Sequence, residues 1–251
     1  MEIEFKVSLN GKLVPKKNVQ TFYKKYSAQF SSSEWKYLEK GDKYFRLKSE
    51  MGNWKYGDLL SNLPLSNNVP RIRHEGQFWC ENSGELEPSG YLSWCKCMAS
   101  GSTLYQYKDP NFECQKQVVY YTLKKKTYIN GIEQNIEHEK EIDPKTVPII
   151  ENKLLSSGYQ KFFDKNKSGL EMSFVDNVNK ITYNIEIERV YSLITKKEVF
   201  FLEIEGVTSK DTIDTNTQNF IIKELKAMCI DLGVAFVPET LSWLQLLGIA
   251  K

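Results

Sequence analysis

The feature that most constrains the fold is a repeated alternation of charged and other residues in short segments along the chain. Near the N-terminus, Glu2, Glu4 and Lys6 alternate with Ile3 and Phe5. Because successive side chains of a β-strand point to opposite faces, a period of two predicts a strand with one charged and one apolar face. Pairs of charged residues two positions apart recur at 71–73, 124–126, 137–139, 165–167, 186–188 and 203–205.

Each of these later pairs carries charge of one sign only, so the strands divide into acidic and basic ones. For any single strand, a solvated outer face explains such charges. A face that serves only solubility would mix the signs, however, because like charges two positions apart repel each other. Carboxylates bind hard divalent metal ions, and lysine and arginine bind phosphate oxygens. The pattern therefore predicts a cavity for a polyanion and a cation, inside a closed barrel whose apolar face packs outward against helices.

The balance of charge and the cysteine count argue against several classes of function. The 251 residues include 34 basic and 32 acidic ones, so a net charge of +2 gives no field directed at DNA or an anionic membrane. Five cysteines without a CxxC pair, and two histidines, do not make a structural zinc site. No run approaches the ~18 apolar residues that cross a bilayer, and no apolar signal core follows the charged N-terminus. We expect reduced cysteines and a cytoplasmic protein without membrane contact.

The remaining pattern predicts an antiparallel α+β fold in one domain, residues 1–251. Apolar residues at helical spacing predict a helix over 16–30, and Asn130-Gly131 predicts a hairpin turn. Further helices are expected at 145–157, 215–232 and 238–248, and residues 50–70 are expected to be irregular. Strands are expected at 1–9, 70–80, 89–98, 103–108, 115–128, 132–142, 159–167, 169–176, 181–191 and 197–207.

In this order the segments resemble the motifs of the CYTH superfamily, the triphosphate tunnel metalloenzymes, which include CyaB-type adenylyl cyclases and thiamine triphosphatases. The family begins with an ExExK strand, which residues 2–6 match. Basic RxR, lysine, acidic ExE, basic KxR, late acidic and final ExE strands follow in the family. They are similar to Arg71-Ile72-Arg73, Lys124, Glu137-His138-Glu139, Lys165-Asn166-Lys167, Glu186-Ile187-Glu188 and Glu203-Ile204-Glu205. Residues 242–247 resemble the short closing helix of the bacterial-type members.

This chain departs from the family pattern in places, and two motifs have alternative positions. Lysine stands at Lys167 where the family has arginine, and glutamate replaces the commoner aspartate in the late acidic strand. Because residues 75–117 form a long interval, Lys96 is an alternative to Lys124 in the lysine strand. Arg46 and Lys48 are an alternative first basic pair.

The resemblance implies a closed antiparallel eight-stranded β-barrel, a tunnel with a polar interior and helices packed outside. It implies a Mg²⁺- or Mn²⁺-dependent hydrolase of inorganic triphosphate, a nucleoside triphosphate, thiamine triphosphate or an RNA 5′-triphosphate end. A class IV-type adenylyl cyclase and a non-catalytic polyphosphate- or nucleotide-binding sensor are the alternatives. The pattern does not indicate an oligomeric state.

The site implied by the resemblance divides into three groups of residues. The expected metal ligands are Glu2, Glu4, Glu186, Glu203 and Glu205. The expected substrate-binding cations are Lys6, Arg71, Arg73, Lys124, Lys126, Lys165 and Lys167. The residues expected to activate water or stabilise the transferred phosphate are Glu188, Glu137, Glu139 and Lys6.

Other chemistries fit the sequence less well. Neither a P-loop nor a dinucleotide-binding glycine motif is present. A site built on a nucleophile and a histidine would have to use His74 or His138. The three lysines 124–126, with tyrosines nearby, also fit a patch that stacks RNA bases, although a barrel wall explains these residues equally well.

Overall fold

The structure, a computed structural model, describes residues 1–11, 14–32, 36–51, 69–79, 114–129, 132–192, 195–210, 213–241 and 243–248. Within these residues the strands are β1 (Glu2–Ser8), β2 (Ser31–Ser32), β3 (Lys36–Leu47), β4 (Val69–Trp79), β5 (Cys114–Ile129), β6 (Ile132–Ile142), β7 (Tyr159–Asp176), β8 (Ile181–Tyr191) and β9 (Glu198–Thr208). The helices are α1 (Lys16–Ser27), α2 (Lys48–Met51), α3 (Val147–Ser156), α4 (Thr215–Asp231) and α5 (Trp243–Leu246), and a 3-10 turn covers Pro144–Thr146.

The strands form one antiparallel sheet in the order β2-β7-β3-β4-β5-β6-β1-β9-β8, and β8 pairs with β7 as well as β9. Pairing is uneven around the sheet. Strands β1 and β9 are paired along the whole length of β1. Strands β1 and β6 are paired only at Glu2 with Asn135 and Ile3 with Gln134. The predicted antiparallel α+β sheet is confirmed, but the predicted closed barrel is not: along most of β1 the described residues show no ladder to β6.

Helices α1 and α4 cover the apolar face of the sheet, as the alternation predicts. On β1, Ile3 and Val7 are buried, and on β9 Leu202 and Ile204 are buried. They share one core cluster with helix side chains, among them Val19, Phe22, Ile221, Leu225 and Met228. Complete burial of such a side chain contributes roughly 1.5–3 kcal/mol to the free energy of unfolding. This packing fixes which face of each strand carries the charged residues.

Local sequence explains where the longest helix begins. Asp214 has an extended backbone and its carboxylate accepts a hydrogen bond from the backbone N–H of Thr217 at 2.8 Å. Such a cap satisfies one of the amide groups that the first turn of a helix leaves without a partner. Helix α4 ends within one residue of the predicted boundary at 232.

The structure corrects the prediction of two strands at 159–167 and 169–176. Residues from Tyr159 to Asp176 form the single strand β7. Gly169 allows this continuity, because a Cβ atom there would lie 2.4 Å from the backbone oxygen of Ile187 on β8. Gly169 is thus a place where two backbones approach closely.

Three further differences concern elements near the termini and in the first third of the chain. The predicted helix at 238–248 is wrong, because Pro238 forms a β-bridge with Val7 and only Trp243–Leu246 is helical. The predicted helix at 16–30 ends earlier, at Ser27. Strand β3 was not predicted at all.

The predicted strands at 89–98 and 103–108, with Lys96, and residues 52–68 of the irregular segment lie outside the described residues. The alternative basic pair does not form a strand motif: Arg46 lies near the end of β3, and Lys48 begins α2. No helix in the described part of the chain is long and apolar enough to span a membrane.

Candidate functional site

The strand register places the predicted charged residues on the same face of the sheet. Glu4 on β1 lies opposite Glu205 on β9, and Lys6 lies opposite Glu203. Strand β8 continues this row, with Glu186 opposite Glu203. Residues that are directly opposite in an antiparallel pair share a face, so the charges of β1, β9 and β8 lie side by side.

The first carboxylate cluster consists of Glu2, Glu4 and Glu205. One carboxylate oxygen from each lies within 4.8 Å of the others. The amide of Asn184 on β8 donates a hydrogen bond to Glu205 Oε1 at 2.6 Å. Burial, reinforced by the negative charge of Glu4, raises the pKa of Glu205 to about 8. Three oxygen donors at this spacing suit a hard divalent cation, so the first carboxylate cluster fits Mg²⁺ or Mn²⁺.

The second carboxylate cluster consists of Glu186, Glu188 and Glu203, whose oxygens also lie within 4.8 Å of one another. The ammonium group of Lys167 on β7 lies among them. Its Nζ is 2.8 Å from Glu188 Oε2 and 3.6 Å from Glu186 Oε2, and it contacts Glu203 Oε2. The Lys167 side chain is only 5% exposed. A positive charge is therefore already present at the centre of this cluster.

A second buried lysine adjoins the second carboxylate cluster. Lys40 on β3 lies opposite Lys167 on β7. Its Nζ is 2.7 Å from Glu186 and 3.3 Å from Glu171. Burial opposes the charge of both lysines, but the carboxylates outweigh it and raise the pKa of Lys40 and Lys167 above the ordinary range.

The carboxylates of the second cluster respond differently to these lysines. Burial works against ionisation of Glu203, yet Lys167 and Lys165 lower its pKa to about 2. Burial likewise opposes ionisation of Glu186, and Lys40 and Lys167 hold its pKa well below the ordinary range. Burial raises the pKa of Glu188 well above the ordinary range, helped by repulsion from Glu203 and Glu186, although Lys167 opposes it. Glu188 is therefore the carboxylate of this cluster whose protonated form is favoured.

A group of cations lies on the next strands and is centred on Asp42 of β3. The guanidinium of Arg73 donates from Nε and Nη2 to the two Asp42 oxygens, at 2.7 and 3.1 Å. Lys165 Nζ lies 3.7 Å from Asp42 Oδ2. Burial opposes ionisation of Asp42, but Arg73, Arg71 and Lys165 hold its pKa well below the ordinary range. This buried carboxylate therefore fixes Arg73 and Lys165 on the polar face.

Arg71 is held one pair further along β4. Its Nη2 donates to Thr122 Oγ1 at 3.3 Å and to Glu139 Oε2 at 3.2 Å. The Thr122 hydroxyl in turn donates to Glu139 at 3.0 Å. Arg71 is buried while Glu139 is about one-third exposed, so this group lies nearer the surface than Asp42.

Three of the predicted phosphate-binding lysines surround one aromatic ring. The Nζ atoms of Lys6 and Lys165 each lie 5.1 Å from the centre of the Trp243 ring, and that of Lys167 lies 5.7 Å away. The ring packs against Phe201 at 5.1 Å. Lysine over an indole face is a favourable arrangement for the positive charge. Helix α5 thereby gathers cations from β1 and β7, and one of them, Lys167, also contacts the second carboxylate cluster.

The structure brings together most of the predicted site residues. The polar face described above carries Glu2, Glu4, Lys6, Arg71, Arg73, Glu139, Lys165, Lys167, Glu186, Glu188, Glu203 and Glu205. The backbone register pairs Lys124 with Glu137 and Lys126 with Asn135. The side chains of Lys124, Lys126 and Glu137 lie outside the described residues, so their predicted roles stay predictions.

Sequence reasoning missed five residues that adjoin the predicted ones: Lys40, Asp42, Glu171, Asn184 and Trp243. The sequence prediction was based on pairs of like charge two residues apart. Strand β3 instead carries Lys40 and Asp42, which have opposite charges, on one face. Their spacing of two was the available indication of a strand. Glu171 also matches the parity of Lys165 and Lys167 once β7 is continuous. Nothing in the sequence indicates that Trp243 lies over lysines.

Comparisons with known proteins give a limited picture. No family model and no curated protein matches the chain. Similar solved structures include a conserved hypothetical protein of Pyrococcus furiosus, with 17% identity and a TM-score of 0.48 over 98% of this chain and 99% of that one. A protein of Pyrococcus horikoshii has 17% identity and a TM-score of 0.49 over the same shares. A "putative adenylate cyclase" of Vibrio parahaemolyticus has 11% identity and a TM-score of 0.49 over 98% of this chain and 97% of that one. Scores this low do not determine the family or activity of this chain.

Proposed function

We propose that this chain is a metal-dependent phosphohydrolase that releases the terminal phosphate of a triphosphate bound on the polar face of the sheet. The observation that carries the proposal is the meeting of Lys6 and Lys165 over the Trp243 ring, with Lys6 two residues after Glu4 of the first carboxylate cluster on the same face of β1. A triphosphate bound to a divalent ion needs this combination of several cations beside a group of oxygen ligands.

The cations of the polar face would bind and orient the triphosphate. Lys6 and Lys165 lie over the same ring, and Arg73 and Lys165 share the carboxylate of Asp42. Cations that are already held in position need little rearrangement when negative charge develops on the transferred phosphate. Arg71, held by Thr122, would extend the same row toward the surface.

The first carboxylate cluster would hold the metal ion, with ligands from Glu2, Glu4 and Glu205. When bound there, Mg²⁺ or Mn²⁺ would neutralise phosphate charge and polarise the terminal phosphate. Glu4 lies two residues before Lys6 on the same face of β1. This adjacency supports contact of the terminal phosphate with both the metal ligands and the lysines.

Hydrolysis needs a water molecule whose oxygen attacks the terminal phosphorus while the bond to the bridging oxygen breaks. The water gives up one proton, which passes to a phosphate oxygen of the products, and the leaving polyphosphate or nucleotide keeps the electron pair of the broken P–O bond. Burial and the neighbouring carboxylates raise the pKa of Glu188, which favours its protonated form. Glu188 therefore suits orientation of the water by hydrogen bonding better than immediate removal of its proton. Glu139, which is about one-third exposed and forms an ion pair with Arg71, is the other described residue that could orient the water.

The proposal includes a tunnel formed by the eight long strands. Pairing of β8 with β7 as well as with β9 brings the two ends of the strand order together. A tunnel of this kind would surround the polar face with backbone and keep the apolar face toward α1 and α4. Inside a tunnel, the charges would act in a medium less polarisable than water, which strengthens their attraction for a triphosphate.

A panel of triphosphates tests the function. The full chain is incubated with inorganic triphosphate, ATP, thiamine triphosphate and a 5′-triphosphate RNA, each with Mg²⁺, with Mn²⁺ or with a chelator. We expect metal-dependent release of phosphate from at least one of them. Pyrophosphate together with a cyclic nucleotide would identify a cyclase instead, and binding without any product would identify a sensor. The matched variant Lys165→Met should weaken triphosphate binding, whereas Lys153→Met, an exposed residue of α3, should not.

A further inference from the structure

The second carboxylate cluster differs from the first in having a buried ammonium group at its centre. Lys167 Nζ lies within 2.8 Å of Glu188 and 3.6 Å of Glu186, and it contacts Glu203. All three carboxylates belong to β8 and β9, and Lys167 reaches them from β7, which pairs with β8. The ammonium group thus occupies the position from which a metal ion would contact the same oxygens.

The lysine is held in this place by the surrounding structure. Its side chain is 5% exposed. Gly169, two residues further along β7, lies opposite Glu188, and its missing side chain lets the two backbones approach. Lys40 lies opposite Lys167 and contacts Glu186 at 2.7 Å and Glu171 at 3.3 Å. The ammonium groups of Lys40 and Lys167 therefore contact all four carboxylates on this part of the sheet.

Replacing such an ammonium group by a metal ion is unfavourable for two reasons. Breaking a buried ion pair by removing one partner leaves the other charge buried and uncompensated, which is strongly unfavourable. A divalent ion must also lose water to enter, and Mg²⁺ dehydrates reluctantly. The first carboxylate cluster presents oxygen ligands at the same spacing.

We infer that Lys167 is a built-in cation that fills the second carboxylate cluster, so that the polar face takes one divalent ion, at Glu2, Glu4 and Glu205, rather than two. The single-ion site rests on the proposed function, but the role of Lys167 does not. Removal of the Lys167 charge should convert the second cluster into an additional metal site. A lysine that merely supports the fold would leave the number of bound ions unchanged when it is replaced.

The test counts bound Mn²⁺ on the full chain, by electron paramagnetic resonance of free Mn²⁺ and by calorimetric titration. Lys167→Met should bind one more ion per chain than the wild type. Lys167→Arg keeps the positive charge and should bind the same number as the wild type. The same number of ions in wild type and Lys167→Met would overturn the inference. A wild type that binds no Mn²⁺ contradicts the proposed metal site, yet the difference between Lys167→Met and wild type still decides the role of Lys167.

A second variant covers the case in which Lys167→Met does not fold. Glu188→Gln keeps the shape of the side chain and removes one carboxylate from the second cluster only. If Lys167 fills that cluster, Glu188→Gln binds as many Mn²⁺ ions, with the same affinity, as the wild type. Loss of an ion, or an affinity at least tenfold weaker, would show that Glu188 is a metal ligand and would overturn the inference. Circular dichroism spectra confirm that each variant is folded before the ions are counted.

Discussion

The two carboxylate clusters have the same chemistry and lie on neighbouring positions of one sheet, yet they contain different charges. Glu205 belongs to the first and Glu203 to the second, two residues apart on the same face of β9. The pKa of Glu205 is raised to about 8 by burial and by Glu4, whereas Lys167 and Lys165 overcome burial and lower that of Glu203 to about 2. Glu203 and Glu205 follow the same alternating pattern of β9. The charged residues on the neighbouring strands therefore decide how each carboxylate ionises.

This comparison shows what each cluster is suited for. The carboxylates of the first cluster repel one another, so a metal ion that binds there would stabilise the folded state. Carboxylates that surround an ammonium group are already compensated, and they contribute to the folded state before any ligand binds. We therefore propose metal binding for the first cluster and, apart from the water-orienting role proposed for Glu188, a charge-balancing role for the second.

The largest expected effect is loss of activity when the first carboxylate cluster is broken. Glu4→Ala should reduce metal-dependent phosphate release at least about a hundredfold, because a metal ligand that stabilises transition-state charge is worth several kcal/mol. The variant should remain folded, since the Glu4 side chain is only partly buried. Phosphate release from the preferred triphosphate, measured at saturating Mn²⁺, checks this.

The control for that experiment is Glu151→Ala, on α3 and paired with Lys43 away from both clusters. It should keep the activity of the wild type. Near-normal activity of Glu4→Ala would remove the distinction between the two clusters and the metal site with it.

The second prediction concerns the stability of the protein when the second carboxylate cluster loses one of its lysines. Lys40→Met should lower the free energy of unfolding by about 3 kcal/mol, because it leaves buried Glu186 and Glu171 without this ammonium group. Lys43→Met, three residues along the same strand, removes a partly exposed pair with Glu151 and should cost less than about 1 kcal/mol. Urea unfolding followed by circular dichroism measures both. Equal losses in the two variants would contradict a charge-balancing role for Lys40.

The smallest expected effect is a difference in how stability depends on pH. The folded-state pKa of Glu205 lies above its ordinary value, so the folded protein binds more protons than the unfolded chain between about pH 4.5 and about 8. This contribution to stability is present at low pH and is lost as the pH rises through 8. In a chelator, Glu205→Gln should therefore gain at least about 1 kcal/mol relative to the wild type between pH 5 and pH 9.

Glu203→Gln is the matched comparison on the same strand. The lowered pKa of Glu203 means that its stabilising contribution is present at any pH above its ordinary value and is lost only as the pH falls toward about 2. The variant should be destabilised to a similar degree at pH 5 and pH 9. Thermal unfolding at both pH values separates the two residues, and parallel behaviour of the two variants would refute the contrast.

The sequence predicted those parts of the fold in which the alternation of apolar and charged residues is visible within a single strand. On β1, β8 and β9, a buried apolar residue alternates with a charged one, and the period of two survives in the structure. Residues such as Glu4 and Glu205 could be paired in advance because both strands show the pattern. The parity argument depends only on backbone geometry, which explains its success there.

The parts that could not be predicted depend on contacts between strands. Lys40 and Asp42 alternate in sign along β3, so no rule of like charges could find them, yet their partners on β4, β7 and β8 are fully complementary. The same limit applies to Lys167, which looked like a phosphate ligand by its spacing. Its carboxylate partners become visible only when β7 and β8 are placed together. The short α5 helix likewise owes its position to packing of Trp243 against Phe201.

Strand β7 runs without interruption from Tyr159 to Asp176 and pairs with β3 on one side and β8 on the other. Insertion or deletion of one residue between Lys165 and Gly169 would therefore invert the remainder of the strand. Leu170 and Met172, now in the apolar core, would turn toward the carboxylates, and Glu171 would turn into the core. We therefore expect the connections between strands to tolerate changes in length better than β7 does, and a two-residue change within β7 is the smallest that preserves its faces.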